Sequence, residues 1–328
     1  MADALTLQPC AVALTPVVGD AGSRRYYRAH IAGAAGGDAA ATYIAVVDES
    51  AAQQAAFVRT RALFAASARV PAVLAESENF LLLEDFGDTT YRRHLPADAD
   101  ALYTAAMDTL IAVQSDSTLA AALPAYDAPR LNGEMQLFAE WYCRRHHARP
   151  LPPAAQAVVD AAQRALAEAM TAAPPVAVHR DYHSRNLMLL GAGAGGAPGV
   201  VDFQDAVRGD ALYDMVSLLR DAYIEWSPAQ QTQWLRYYWE AARAAKVKAA
   251  AGESWEECRR RFNIAGAQRG LKVLGIFARL AHRDGKRQYL DDLPLVHRHL
   301  TAALSALSAL QGPPALAPLA AVLEDYPP

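Results

Sequence analysis

The sequence predicts an α+β fold of two lobes, in which a small antiparallel β-sheet comes first and a mainly helical region follows. Short alternating or β-branched segments separated by glycine clusters fill the first 85 residues. Beyond residue 97, long stretches repeat apolar residues at helical spacing. We therefore expect an N-lobe over residues 1–85, a C-lobe over 86–328, and a cleft between them.

The N-lobe is predicted to hold strands around one helix. Three segments alternate or are rich in β-forming residues and are predicted strands: 24–31, 42–47 and 79–83. Residues 53–68 show helical spacing and end near Pro71. The last strand runs directly into Glu84-Asp85-Phe86-Gly87. We interpret this segment as the hinge between the lobes.

The C-lobe is predicted to be helical around one β-rich island. Six segments carry the helical repeat: 99–115, 132–146, 153–172, 228–245, 254–280 and 293–310. The island contains short apolar strands at 176–178, 187–190 and 200–201, with a polar loop between the first two. The last two are joined by a Gly/Ala turn, which predicts a hairpin.

Composition narrows the class of protein. The formal net charge of −4 and the pI near 6.1 argue against a nucleic-acid binder, which would show a basic excess. The 3 cysteines lie far apart without metal-ligand spacing, which fits a reducing compartment and no structural zinc. The N-terminus lacks signal-peptide features, and no apolar run approaches the ~20 residues of a membrane span. These observations predict a cytoplasmic protein that binds neither nucleic acid nor membrane, and they leave its oligomeric state open.

The strongest motif is His179-Arg180-Asp181-Tyr182-His183-Ser184-Arg185-Asn186, an HxDxxxxN pattern between two predicted strands. A further acid, Asp202, ends the next predicted strand. Phosphoryl transfer needs positioning and charge neutralisation more than covalent help from the protein. A carboxylate such as Asp181 can orient the attacking hydroxyl and accept its proton. Asn186 and Asp202 offer the oxygen ligands that Mg²⁺ prefers.

On these residues the chain resembles the aminoglycoside phosphotransferase and choline kinase superfamily, whose fold is protein-kinase-like. HRDYHSRNLMLL is similar to its catalytic loop, and VVDFQDAVRGDALYDMVSLL is similar to its metal-binding segment. Within the superfamily the chain looks most like bacterial anomeric kinases of N-acetylmuramate and N-acetylglucosamine, with further support from SRRYYR, FLLLEDFGDTTY and QRGLKVLGIFARLAHRDGKRQYL. The runs DFQDAV and LKVLGIFARL are the narrower ones and point at these sugar kinases. The resemblance covers nearly the whole chain. It implies an ATP- and Mg²⁺-dependent sugar kinase that serves cell-wall recycling.

The resemblance also implies roles for individual residues. Asp181 would be the catalytic base, with Asn186 and Asp202 holding the metal. Asp214 and His179 would be structural. For the nucleotide, the backbone around Glu84 and Phe86 would contact adenine, and the turn containing Gly22 and Ser23 would lie over the phosphates, where small residues permit close approach.

Kinases commonly place a lysine on the third strand of the N-lobe, facing the nucleotide phosphates. Here that strand reads Tyr43-Ile44-Ala45-Val46-Val47-Asp48, without lysine or arginine. A complete glycine-rich loop is also missing. We expect either that Arg24 or Arg25, beside the turn, neutralises the phosphates instead, or that this lobe binds them less tightly.

The sugar-binding residues are less well defined by the sequence. Tyr223 and Trp226 follow the metal-binding segment and would stack on a sugar ring, or else belong to the core. Arg220, Lys272 and Arg279 would pair with a carboxylate such as a lactyl group, or else be exposed helix charges. Asp205 and Asp221 would hydrogen-bond sugar hydroxyls. Arg185 is compatible with a phosphate contact, a substrate contact or a surface position.

Three alternatives remain open at this level. A kinase of the same fold acting on an aminoglycoside or amino alcohol would need an acidic cleft, which the basic C-terminal helices disfavour. A nucleotide-binding module without catalysis is suggested by the missing strand lysine. A metal hydrolase is suggested by the HxDxH run of His179, Asp181 and His183, since alternate residues of a strand share a face.

Overall fold

The computed structural model describes residues 12–17, 25–31, 41–47, 50–191, 193 and 195–328. Its N-terminal part is a five-stranded sheet with neighbouring strands antiparallel, in the order β1-β2-β3-β5-β4. The strands are β1 Val12–Val17, β2 Arg25–Ile31, β3 Ala41–Val47, β4 Val73–Ser77 and β5 Phe80–Glu84. One helix, α1 Ala51–Phe64, connects β3 to β4. This sheet and the mostly helical remainder confirm the predicted α+β fold. The boundary at residue 85 stays a prediction.

Helix α1 joins the sheet to the rest of the molecule through aromatic contacts. Ser50 caps its N-terminus by accepting a hydrogen bond from the Gln53 backbone N–H. The rings of Phe57 and Phe64 lie 5.1 and 5.7 Å from the ring of Phe203. Phe203 follows Asp202 directly in the chain. The buried face of α1 therefore packs against the segment that carries one of the predicted metal ligands.

The remainder is built from helices around one long central helix. The helices are α2 Tyr91–His94, α3 Ala99–Ser115, α4 Ser117–Ala122, α5 Ala128–Leu137, α6 Pro153–Thr171, α7 Leu212–Leu219, α8 Pro228–Ala244, α9 Trp255–His282, α10 Leu293–Ala309 and α11 Leu319–Glu324. A π-helical segment, Phe138–His146, continues α5, and short 3₁₀ turns lie at Arg287–Leu290 and Pro314–Leu316. No helix among the described residues is long and apolar enough to cross a membrane.

Helix α9 lies at the centre because glycines on two of its faces let neighbouring helices approach closely. A Cβ at Gly270 would lie 2.8 Å from the Cβ of Leu300 on α10. A Cβ at Gly275 would overlap the backbone of Leu137 at the end of α5. Positions of this kind exclude any larger residue unless a helix moves. The close crossing matters for function, because α9 also carries charged side chains toward the predicted site.

Two small sheets interrupt the helices. Strands β6 Val176–Val178 and β9 Val207–Gly209 pair antiparallel, as do β7 Leu187–Met188 and β8 Gly199–Val200. Strand β9 and helix α7 were not predicted from the sequence. Two backbone hydrogen bonds connect the β7–β8 hairpin to residues near the predicted hinge. Leu189 N–H donates to Thr89 O at 2.8 Å, and Val200 N–H donates to Arg69 O at 2.7 Å.

Candidate active site

The loop between β6 and β7 is fixed at its start by a buried carboxylate. Asp214 on α7 has no solvent exposure. Its Oδ2 accepts from the backbone N–H of His179 at 2.7 Å, and its Oδ1 accepts from the backbone N–H of Arg180 at 2.9 Å. Arg180 adopts φ +78°, a left-handed conformation that costs a non-glycine residue about 1–2 kcal/mol. Asp214 thus stabilises a strained turn directly before Asp181.

Further along the loop, alternate side chains anchor it to the helical region. Tyr182 and Ser184 are buried: the Tyr182 hydroxyl donates to Ala106 O at 2.8 Å, and the Ser184 backbone N–H donates to Asp221 Oδ2 at 3.0 Å. The intervening residues Asp181, His183 and Arg185 line the cavity between the lobes. Asp214 lies on α7 and Asp221 follows the end of that helix, so two acids seven residues apart hold two separate points of the loop. Asp221 is therefore buried as a brace, and the expected contact with a sugar hydroxyl is not supported.

The three groups predicted to carry the chemistry converge at this cavity. Asn186 Nδ2 donates to the backbone O of Asp181 at 2.9 Å and lies 3.4 Å from Asp202 Oδ2. Asp202 is exposed and adopts φ +66°, which turns its side chain out of the end of the β7–β8 hairpin. Because the amide nitrogen of Asn186 is used within the loop, its Oδ1 remains as an oxygen donor beside the Asp202 carboxylate.

Positive charge surrounds Asp181 on the side of α9. The Arg269 guanidinium lies 3.4 Å from Asp181 Oδ1, and its Nη1 donates to the backbone O of Arg180 at 3.0 Å. Burial raises the pKa of Asp181, but the charges of Lys272 and Arg269 outweigh this effect and hold it well below its usual range. The Asp181 side chain is still 38% exposed, because it opens onto the cavity. It is thus a carboxylate at neutral pH, able to accept a hydrogen bond from a bound hydroxyl.

A second acid, Glu134, offsets part of this positive charge. Glu134 on α5 forms an ion pair with Arg180, and both side chains are 13% exposed. Lys272 Nζ lies 3.5 Å from Glu134 Oε2 and donates to the Tyr213 hydroxyl at 3.0 Å. Burial raises the pKa of Glu134, but Lys272 and Arg180 outweigh it and lower the pKa overall. The sequence analysis did not identify Glu134 or Arg269, because each is one of several polar or charged residues on its helix.

The N-lobe contributes one cation of the described residues to the cavity, and it lies on β2. Arg28 lines the cavity together with Tyr26, two residues earlier on the same face of the strand. Its Nε donates to Asp85 Oδ2 at 2.6 Å, and its Nη1 donates to Asp88 at 2.8 Å. These two acids raise the pKa of Arg28 further. Arg28 therefore joins the sheet to the hinge, a role that the sequence did not reveal.

The cavity between the lobes has a volume of about 660 Å³, and most of the predicted site residues line it. Its lining includes seven of them: Asp181, Asn186, Asp202, Glu84, Phe86, Asp205 and Tyr223. Phe86 packs against the backbone of Gly199, where a Cβ would lie 2.6 Å from its ring. The Glu84 carboxylate is held by Arg69 and by the Ala72 backbone N–H, and the Glu84 backbone N–H donates to Ala72 O at 2.9 Å. The expected phosphate turn with Gly22 and Ser23 lies outside the described residues, as does Arg24.

Three predicted contacts are corrected by the structure. Arg25 is exposed and does not line the cavity, because it points to the opposite face of β2 from Tyr26. Arg220 turns toward α9, where its Nη2 donates to Asn263 Oδ1 at 2.7 Å. Trp226 is only 5% exposed and donates from Nε1 to the Tyr103 hydroxyl at 2.9 Å, so it belongs to the core.

The HxDxH run does not form a metal site of the hydrolase kind. His179 is 1% exposed, and its ring nitrogen Nε2 lies 3.0 Å from the backbone O of Val201. It therefore faces away from the cavity that His183 lines. Within the described part of the chain, no group of three or more His, Cys, Asp or Glu side chains is placed to hold a metal ion.

The fold and the converging groups define a two-lobed phosphotransferase of the kinase type. The structure is similar to an ethanolamine kinase of Plasmodium vivax, with a TM-score of 0.61, 10% sequence identity, and coverage of 90% of this chain and 82% of that chain. It is also similar to a choline kinase of Cryptosporidium parvum, with a TM-score of 0.58, 9% identity, and coverage of 93% and 91%.

The sequence comparisons give the family. The profile described as "Phosphotransferase enzyme family" matches residues 13–250, and the chain belongs to that family. Among curated proteins, it is 39% identical over 320 residues to the N-acetylmuramate/N-acetylglucosamine kinase of Pseudomonas aeruginosa, covering 96% of this chain and 88% of that protein. It is 36% identical over 288 residues to the kinase of the same name from Neisseria meningitidis, covering 86% and 82%.

Proposed function

We propose that this chain is an ATP-dependent kinase that phosphorylates the anomeric hydroxyl of N-acetylmuramate and N-acetylglucosamine. The observation that carries the proposal is the convergence of Asp181, Asn186 and Asp202 at one cavity, in a chain that is 39% identical to a kinase named for these two sugars. The product, a sugar 1-phosphate, would return cell-wall sugars to precursor synthesis. Since the nucleotide triphosphate is a cytoplasmic metabolite, we place the reaction in the cytoplasm.

In the reaction, the C1 oxygen of the sugar attacks the γ-phosphorus as the bond from that phosphorus to the β–γ bridging oxygen breaks. Asp181 accepts a hydrogen bond from the C1 hydroxyl and takes its proton as the new bond forms. Its lowered pKa makes it a weak base, so its main contribution is orientation, with proton transfer late in a loose transition state. Arg269 and Lys272 keep it ionised for this role.

Asn186 Oδ1 and the Asp202 carboxylate would hold Mg²⁺, because hard oxygen donors with few protein ligands suit this ion. When bound, the ion supplies charge neutralisation for the phosphates. The nucleotide base would lie at the hinge, between the Ile44 side of the sheet and Met188, both of which line the cavity. Exclusion of water from the closed cavity would limit hydrolysis of ATP.

The cavity wall is mixed in charge. On the C-lobe side, four cations line it together with three acids: Arg180, Arg185, Arg269 and Lys272, and Asp181, Asp202 and Asp205. The choice of an amino sugar over an aminoglycoside or amino alcohol as acceptor therefore rests on the 36–39% identity to kinases named for the two sugars.

The proposal is tested by mixing the purified protein with Mg-ATP and, separately, N-acetylmuramate, N-acetylglucosamine, an aminoglycoside and choline. We expect ADP release with the two sugars, with loss of the sugar's reducing end and formation of an acid-labile phosphate. Asp181→Asn should lower kcat by ~10²-fold or more with little change in Tm. Product that keeps its reducing end would contradict the anomeric assignment, and turnover of only the cationic acceptors would contradict the sugar assignment.

A further inference from the structure

A small second cavity lies behind the active site, between α7, α9 and α10. Its volume is about 20 Å³, which is room for one water molecule or one monatomic ion and too little for a phosphate or a sugar carboxylate. Arg269, which contacts Asp181, lines both this cavity and the cavity between the lobes. Most of the remaining lining is apolar, and it includes Val216, Gly266 and Val296. A species bound here would therefore lie one side chain away from Asp181.

The polar side chains that line this second cavity are all basic. They are Arg220 at the end of α7, Arg269 and His299, and no carboxylate or amide side chain of the described residues joins them. Arg269 pairs with Asp181. His299 makes a hydrogen bond with the backbone of Asp221, and burial together with the charge of Arg220 lowers the pKa of His299 to about 4, so its ring is neutral at pH 7. The positive charge that lacks a counter-charge here is therefore that of Arg220.

Neutral groups alone hold the Arg220 side chain in place. Its Nη2 donates to Asn263 Oδ1 at 2.7 Å, and its Nε donates to Gln231 Oε1 at 3.3 Å. Its guanidinium lies over the ring of Phe262, 4.5 Å from the centroid. Burial lowers the pKa of Arg220 to about 10, and no carboxylate of the described residues offsets this effect. The group still carries its charge at neutral pH, and a buried charge without a partner of opposite sign is strongly unfavourable.

The Nη1 atom of Arg220 is the group that a ligand in this cavity would meet. It is buried, and no atom of the described residues accepts a hydrogen bond from it. It lies against Gly266, where a Cβ would come within 2.4 Å of it. Because Gly266 lines the cavity, Nη1 lies at the cavity wall. The N–H groups of a guanidinium are donors only, so the group that fits them is an acceptor, and an anion would also supply the missing counter-charge.

We propose that this second cavity binds one monatomic anion, chloride being the common one, with Nη1 of Arg220 as its charged donor. The volume admits a halide and excludes oxyanions, and the basic lining selects an anion over a cation. The proposal goes beyond the proposed function, because the cavity is separate from the sites of the nucleotide and the sugar. A bound halide would connect the end of α7, which carries the loop-holding Asp214, to α9 and α10.

The first test compares thermal unfolding of the purified protein in sodium chloride and in sodium gluconate at equal ionic strength. We expect about 0.2 M chloride to raise Tm by about 2–4 °C over gluconate, with saturation, because a ligand that binds only the folded state stabilises it. Sodium bromide should act like chloride. Arg220→Met should abolish the difference between the salts, because it removes the charged donor and keeps an unbranched side chain. Arg283→Gln is the matched control: it removes a 55% exposed arginine that pairs with Asp284, and it should leave the difference unchanged.

The second test uses crystals of the wild-type protein soaked in sodium bromide, and it stands even if Arg220→Met fails to fold. Anomalous scattering should place a bromide ion in the cavity beside Nη1 of Arg220. Equal Tm values in chloride and gluconate, or a cavity without anomalous signal, would overturn the proposal in favour of a bound water molecule. A chloride effect that persists in folded Arg220→Met would also overturn it, since the ion would then bind elsewhere. Neither test involves sugar turnover, so failure of the proposed function would be seen separately.

Discussion

Asp214 offers the most direct test of how the catalytic loop is held in place. Its two carboxylate oxygens accept the backbone N–H groups of His179 and Arg180 at 2.7 and 2.9 Å, with no solvent access. In Asp214→Asn, the amide offers only one acceptor and turns its NH₂ group toward the other backbone N–H. The buried donor left unpaired costs about 1–3 kcal/mol. The left-handed turn at Arg180 loses one of its hydrogen bonds at the same time.

We therefore expect Asp214→Asn to lower the free energy of unfolding by about 3 kcal/mol, measured by urea titration at pH 7. Relaxation of Arg180 would also move Asp181, and displacements of about 1 Å can reduce turnover by ~10²-fold. Asp127→Asn is the matched control, because Asp127 is exposed, accepts the Arg130 backbone N–H at 3.0 Å as a helix cap, and asparagine caps equally well. A loss below about 1 kcal/mol, with kcat within threefold of the wild type, would refute this account.

Three further outcomes are expected. Asp202→Ala should abolish the dependence of kcat on Mg²⁺ concentration together with most activity, and an unchanged magnesium titration would contradict its role as ligand. Gly275→Ala should lower the free energy of unfolding by about 2 kcal/mol, because the new Cβ overlaps the backbone of Leu137. The same change at Gly133, where nothing lies within 4 Å, should instead stabilise α5 by up to about 1 kcal/mol. If calorimetry shows that both substitutions change the free energy of unfolding in the same direction, the packing explanation is wrong. Burial lowers the pKa of His179 to about 4 from its ordinary 6.5, so the unfolded chain binds this proton first as the pH falls. His179 should thus contribute a loss of up to roughly 1.4 kcal/mol per pH unit below pH 6.5, and urea titrations between pH 7 and 4.5 should show the slope of stability against pH reduced by about that amount in His179→Gln.

Long amphipathic helices were predictable from the sequence because one face of each is buried. The predicted helix at 99–115 coincides with α3, and the helices ending near residues 171, 244 and 309 were predicted to within one residue. Helix α7 escaped prediction because all of its residues are buried, so it shows no alternation between apolar and polar faces.

Strands β1 and β4 were not predicted, and the reason is the opposite of that for α7. Strands β1 and β4 lie at the two edges of the sheet and are largely exposed, so their sequences lack the apolar alternation that reveals a half-buried strand. The predicted single helix at 132–146 is in fact α5 from Ala128 followed by the π-helical segment. The cap residue Asp127, with a proline two residues later, was a usable signal for that earlier start.

The motif residues of the site could be predicted because the chemistry constrains their types and spacing. Asp181, Asn186 and Asp202 lie within one loop and the hairpin that follows it. The groups that adjust the site come from distant parts of the chain: Glu134 meets Arg180 across 46 positions, and Arg269 meets Asp181 across 88. No local pattern encodes such pairs, because they depend on how α5 and α9 cross.

The backbone bonds from the β7–β8 hairpin to Thr89 and Arg69 have a consequence for how long a ligand must be. They tie the hairpin that leads to Asp202 to the residues on either side of β4 and β5. Under the proposed function, a nucleotide with its base at the hinge would place its phosphates along this tied span. Its third phosphate would meet the acceptor beside Asp181, whereas a diphosphate in the same position would stop short. Discrimination between a spent and a fresh donor would thus follow from chain length alone.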